Sequence, residues 1–123
     1  MKNTLKLLSF ILILSSLFSC SIFKDKELEK KIIGSWKEDN GKAEQFHFSA
    51  FTYTFSSDKT FNVKFFGGNE VNGTYKINDG TLYLFKNEFG VETPYGKDKI
   101  MFNSDGDLIK NSGGTVYRLV KIN

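Results

Sequence analysis

Cysteine, histidine, proline, tryptophan and arginine occur once each in this 123-residue chain. Each scarcity excludes something. Cys20 has no second cysteine to pair with, so no internal disulfide forms. His47, between Phe46 and Phe48, supplies too few ligands for a zinc site of the usual type and supports no Ser/His/Asp arrangement. It reads as a strand residue. The apolar run from Leu7 to Phe18 is too short for a comfortable membrane span, which needs about 20 apolar residues, and an uncleaved signal anchor is the alternative to cleavage there. Basic and acidic side chains number 17 and 14 and are interspersed. No concentrated positive field is available for nucleic acid.

Other candidate chemistry is thin. Glu38 with Asp39, and Glu88 with Glu92, lie near turns, where carboxylates are ordinarily solvated. Asn103 to Asp107 has part of a calcium-loop pattern but no distal bidentate Glu, so it reads as a hairpin turn. Gly67-Gly68 precedes no helix and makes no phosphate cradle. No catalytic residue, metal or cofactor is assigned, and a non-enzymatic protein is expected.

The N-terminus is organised differently from the rest. Lys2 and Lys6 precede an apolar run, Leu7 to Phe18, broken only by serines, and Ser19 is a small residue before Cys20. That is the layout of a secretory signal peptide. Leu17-Phe18-Ser19-Cys20 resembles the lipobox of bacterial lipoproteins, although Phe18 is bulkier than the usual residue there. The resemblance implies cleavage before Cys20, a lipid on its thiol and a stable anchor of two or more acyl chains. It also implies a location in the cell envelope. Ser21, in place of an aspartate, points to the outer membrane. Removing Lys2 and Lys6 leaves a mature chain close to neutral. The expected organisation is a signal peptide over 1–19, a tether over 20–31 and one domain over 32–123. The tether carries mixed charge and ends in one or two helical turns, with Leu28 and Ile32 on one face.

From Gly34 onward, turn signals recur at Asp39-Asn40-Gly41, Ser56-Ser57-Asp58, Gly67-Gly68-Asn69 and Asn78-Asp79-Gly80. They continue in a longer piece from Asn87 to Gly96, in Ser104-Asp105-Gly106 and in Asn111 to Gly114. The runs between them are rich in Phe, Tyr, Val, Ile and Thr and alternate with a period of two. Phe51, Tyr53 and Phe55 share one face. So do Phe61, Val63 and Phe65, and likewise Val71, Gly73, Tyr75 and Ile77. Phe46 and Phe48 are out of phase with Phe51, which predicts a bulge or bend near Ser49-Ala50. Pro94 falls in the longest expected loop. Eight short runs joined by hairpins predict an all-β, up-and-down antiparallel barrel of about eight strands, preceded by a short helical turn.

Gly34-Ser35-Trp36, at the start of the first strand, resembles the Gly-x-Trp signature of lipocalins. Tyr53 to Phe61, Asn72 to Ile77 and Leu82-Tyr83-Leu84 look like the small lipocalin-like domains of exported bacterial lipoproteins. The resemblance implies a barrel with Trp36 at its closed end and Arg118, from the last strand, lying across the indole. An ordinary surface arginine is the alternative. The chain lacks the helix that follows the barrel in full lipocalins, and it is far shorter.

Eight strands enclose a space that is filled by side chains or holds one small ligand. Two functions stay open. One is a membrane-tethered barrel that binds a small apolar ligand at its open end, with Phe51, Tyr53, Phe61, Val63, Phe65, Tyr75 and Leu84 as lining. The other is a filled barrel that presents loops to an envelope protein partner, as small exported lysozyme inhibitors do. Tyr117 and Lys121 share those inhibitors' Tyr-x-x-x-Lys spacing.

Overall fold

The computed structural model describes residues 22–39, 51–65 and 67–122. His47, Cys20 and the bend expected near Ser49-Ala50 lie outside the described residues. Helix α1 covers residues 22–32. Eight strands follow: β1 Gly34–Glu38, β2 Thr52–Phe55, β3 Thr60–Lys64, β4 Glu70–Asn78, β5 Thr81–Glu88, β6 Val91–Phe102, β7 Leu108–Ser112 and β8 Thr115–Lys121. Each pairs antiparallel with the next, and β1 pairs with β8. The result is a closed barrel in sequence order, the all-β up-and-down architecture that the alternation predicts.

Alternation decides which side chains enter the barrel. In β4, Tyr75 and Ile77 are buried while Thr74, Lys76 and Asn78 are exposed. In β3, Phe61 and Val63 are buried between exposed Thr60 and Lys64. Trp36, Phe55, Leu82, Leu108 and Leu119 join them in one core with almost no solvent contact. Burial of such side chains contributes roughly 1.5–3 kcal/mol each. Gly73 faces the same interior. A Cβ there would overlap the Phe85 carbonyl oxygen and the Phe61 ring, so the strand keeps a glycine where an aromatic ring must lie flat.

The two ends of the barrel differ. Helix α1 closes one end, where Ile32 is fully buried and Leu28 packs on the core. The Asp25 carboxylate accepts the backbone N–H groups of Asp79 and Gly80 in the β4–β5 turn, at 2.8 and 2.9 Å. Glu29 pairs with Lys59 of the β2–β3 turn at 3.1 Å. Trp36 Nε1 donates to the Ile32 carbonyl at 2.8 Å, satisfying a carbonyl that the end of a helix leaves open. Gly34, at φ 132°, makes the turn from helix to strand, a backbone state open to glycine and few others. The Gly-x-Trp spacing thus has a local reason: the glycine turns the chain and the indole holds the helix end.

Three details differ from the sequence reading. The expected N-terminal helical turn is present and docked on the barrel, but it begins at residue 22 and takes up most of the stretch read as a tether. The Asn87–Gly96 stretch is a tight hairpin with its turn at Phe89-Gly90, not a long loop. Its turn chemistry, a bulky residue before Gly, hid it. Pro94 sits inside β6 at a register shift opposite Leu84/Phe85, a bulge that tolerates a missing amide donor. Finally, the cation over the Trp36 ring is Lys121, at 5.7 Å. Strand parity places Lys121 with inward Leu119 and turns Arg118 outward. There its Nε donates to Asp107 at 2.9 Å, and Asp39 lies 3.6 Å away.

Candidate functional site

The end opposite α1 is formed by the β3–β4, β5–β6 and β7–β8 turns. It holds a pocket of about 210 Å³ lined by Phe51, Tyr53, Tyr117 and Leu119 with Glu38, Lys110 and Ser112. The inward faces of β1, β2, β7 and β8 supply these side chains, because residues two apart along a strand share a face. Below the pocket, Phe55, Phe61, Val63, Leu108 and Leu119 are buried together in the core.

Lys110 is the centre of the site. It points inward because it alternates with buried Leu108, and its side chain is only 14% exposed. Its ammonium donates to the Tyr53 hydroxyl at 3.1 Å and lies 3.5 Å from the Asp98 carboxylate, itself 7% exposed. It also lies 4.8 Å from the centre of the Tyr53 ring and 5.4 Å from that of Tyr117, so the cation is framed by two aromatic faces. Burial pulls its pKa down. The Tyr53 oxygen and then the Asp98 carboxylate outweigh burial and hold it above the ordinary lysine value. An ammonium has three N–H donors. Tyr53 and Asp98 occupy two directions, and the third is available to an acceptor in the pocket.

The bulge in β6 completes the mouth. Leu84 opposes Gly96 and Phe85 opposes Pro94, so Tyr95 is the extra residue. Its ring turns toward the interior and stacks on Phe61, with ring centres 6.1 Å apart. A bulge re-aims one side chain in this way. Burial, followed by the influence of Tyr53, pushes the Tyr95 hydroxyl pKa up. Around the mouth, Phe51, Val91 and Tyr95 are partly to largely exposed, and Phe89 at the β5–β6 tip is fully exposed.

The residues read as ligand-lining divide between two places. Phe51 and Tyr53 line the pocket. Phe65, half-buried, meets Phe51 edge-on at 5.2 Å. Phe61, Val63, Tyr75 and Leu84 are buried in the solid core. Tyr75 is further fixed by donating to the Ser56 carbonyl at 2.9 Å. Gly34 and Trp36 belong to the closed end.

Sequence reasoning missed Asp98, Lys110 and Tyr95, and singled out Tyr117 only for its spacing from Lys121. Lys110 and Asp98 were legible in principle, as charged residues in phase with apolar Leu108 and Ile100. Reading Asn87–Gly96 as a loop removed the phase of β6 and, with it, Asp98 and Tyr95.

At the other end, Asp107 accepts from Arg118 and from Asn103 Nδ2, the latter at 3.3 Å. Among the described residues, no three His, Cys, Asp or Glu side chains are placed to hold a metal. No protein-family model, curated protein or solved structure matches this chain.

Proposed function

We propose that this chain is a non-enzymatic, lipid-anchored lipoprotein of the bacterial cell envelope, of the lipocalin-like kind, and that the open end of its barrel binds a small amphipathic ligand. The observation that carries the binding role is Lys110, held inside the mouth between two tyrosine rings with a donor direction open to the pocket. The Leu17 to Cys20 lipobox resemblance supports the anchor, with Cys20 as the lipidated residue and the outer membrane as its location.

Pocket size narrows the ligand. Drug-sized ligands occupy roughly 300–1,000 Å³, and the pocket lined by the described residues has about 210 Å³ above the buried core. A whole lipid with its chains threaded down the barrel does not fit. A compact group with one flat apolar face and one hydrogen-bond acceptor does. The face would lie on Tyr53 or Tyr117, and the acceptor would meet Lys110.

Mass spectrometry of organic extracts from purified protein, followed by titration of candidate ligands into wild type and Tyr117→Ala, tests the reading. Co-purification of a small amphiphile, with binding weakened at least tenfold in Tyr117→Ala, supports it. Absence of any extractable or titratable ligand counts against it. The alternative, a barrel that presents its rim to a protein partner, is favoured by one observation: fully exposed Phe89 at the hairpin tip. Cross-linking from Phe89 in intact envelopes would identify such a partner.

A further inference from the structure

We infer that the closed end of the barrel is a docking face for an anionic lipid bilayer, seated through α1, so that the ligand-binding mouth faces away from the membrane. This extends the anchored reading above and rests on it only for the position of the lipid.

The helix is asymmetric in a way the barrel does not require. Asp25, Leu28, Glu29 and Ile32, spaced three and four apart, face the barrel. The opposite face carries Phe23, 73% exposed, together with Lys26, Lys30 and the Glu27–Lys31 pair, and Ile22, next to Phe23 in sequence, is 57% exposed. Phe23 contributes nothing to the core and presents a large apolar ring to solvent.

Charge is sorted along the same helix. Asp25 is taken by the turn amides, Glu29 by Lys59, and Glu27 by Lys31 at 3.1 Å. Lys24, Lys26 and Lys30 have no ion pair among the described residues. Glu27 and Glu29 are thus ion-paired and Asp25 keeps its charge on the barrel side, so Lys24, Lys26 and Lys30 leave a net positive, apolar-tipped surface outward. A basic helix with an exposed aromatic is the pattern of a segment lying in a membrane interface. Crossing is excluded for it, since among the described residues no helix is long and apolar enough to span a bilayer.

Two further features agree. A groove of about 370 Å³ runs beside α1, with Leu28, Ile100 and Phe102 among its walls and Asp25, Glu27 and Asp79 beside Lys24 and Lys31 at its rim. Its apolar wall suits an acyl segment, and Lys24, without an ion pair among the described residues, is the rim cation left for a phosphate, since Lys31 is held by Glu27. Cys20 precedes the first described helical residue by two positions, so a lipid there enters the bilayer beside Phe23. An anchor so close leaves little slack, at most ~3.3–3.6 Å per residue.

The test places an added indole at each end of the full chain. Trp36, 1% exposed, is a built-in reference shielded from lipid. Phe23→Trp and Phe89→Trp proteins are reconstituted in vesicles of phosphatidylglycerol and phosphatidylethanolamine with bromine on the acyl chains, and again in phosphatidylcholine. Strong quenching of Phe23→Trp, with Phe89→Trp like wild type, is expected. Neutralisation by Lys24→Gln, Lys26→Gln and Lys30→Gln, all at exposed positions, should then weaken affinity for the anionic vesicles roughly fivefold per lysine removed. Quenching at Phe89→Trp alone, or at neither site, overturns the proposal. Equal quenching in neutral and anionic vesicles overturns the assignment to anionic lipid.

Intact mass reads the anchor separately. An unmodified Cys20 refutes the anchored reading alone, because quenching on vesicles added to the same protein still decides the docking face. Acylated Cys20 with no quenching at Phe23→Trp refutes the docking face alone.

Discussion

At the scale of single residues, two positions carry cost that the fold itself does not demand. Lys110 places a charge inside the barrel. Its ion pair with Asp98 is mostly shielded from water, and such pairs seldom outdo a well-packed apolar pair. Breaking one is different, because the surviving charge is left uncompensated. Lys110→Met should therefore cost about 3 kcal/mol, measured by urea unfolding. The double change Lys110→Met with Asp98→Leu should recover most of it while leaving ligand binding abolished. Recovery of stability without binding would separate the lysine's role at the site from its role in the fold. Phe89 is the second position. It holds φ 55° in a two-residue turn with Gly90 at 78°, a geometry that favours Asn or Asp at the first place. A bulky residue there is strained. Phe89→Asn should raise stability by about 1 kcal/mol, read as an increase in the thermal midpoint. A stabilising change at a fully exposed side chain would mean that the phenylalanine is kept for something other than folding.

At the scale of elements, α1 shows what the sequence could and could not reveal. Leu28 and Ile32 are four apart and announced one helical face. The turn-rich text from Gly34 onward announced the strands, since a period of two leaves little choice about which side faces the core. Contacts made across distant parts of the chain were not legible. Asp25 reaches the Asp79-Gly80 turn, more than fifty residues away, and nothing local marks an aspartate in a charged helix as a cap for a β-turn. The mouth was obscured in a similar way. Pairing of β5 with β6 through a bulge decides that Tyr95 points inward, and a bulge breaks the very alternation by which strands are read. Arg118 shows the limit of resemblance. A shift of one position along β8 exchanges inward for outward, and the structure gives Trp36 to Lys121 instead. If Asp25 is what seats the helix, Asp25→Ala should cost about 1–2 kcal/mol. It should also raise hydrogen exchange at Asp79 and Gly80 while leaving the β7–β8 hairpin protected. Unchanged exchange at those two amides would mean that the Leu28 and Ile32 contacts hold the helix unaided.

At the scale of the whole molecule, ionisable groups bound the pH range in which the barrel is stable. Two carboxylates lie below their ordinary value of 3.8: Asp107, first because Arg118 and Asn103 donate to it, and Asp58, first because Thr60 donates to it. A carboxylate depressed in the folded state stabilises above its unfolded pKa, and that contribution is lost as pH falls through the folded value. On the alkaline side, burial raises Tyr75 and Tyr95 above 10.0, and Lys110 stands above 10.5 through Tyr53 and Asp98 against the pull of burial. Groups raised in this way stabilise below their unfolded pKa and lose that contribution as pH rises through the folded one. The two sides predict a plateau from about pH 5 to pH 9 in urea midpoints, with an acid limb below pH 4 and an alkaline limb near pH 10. Asp107, Asp58 and Arg118 lie at the closed end, so the acid limb reports on that end, while the alkaline limb combines Tyr75 there with Lys110 and Tyr95 at the mouth. Arg118→Met should make the acid limb shallower and leave the alkaline limb in place. The double change Lys110→Met with Asp98→Leu, which leaves no buried charge behind, should flatten part of the alkaline limb and leave the acid limb alone. If either change moved both limbs together, the two ends would be energetically coupled through the core, and a ligand in the mouth would then alter how firmly α1 is seated.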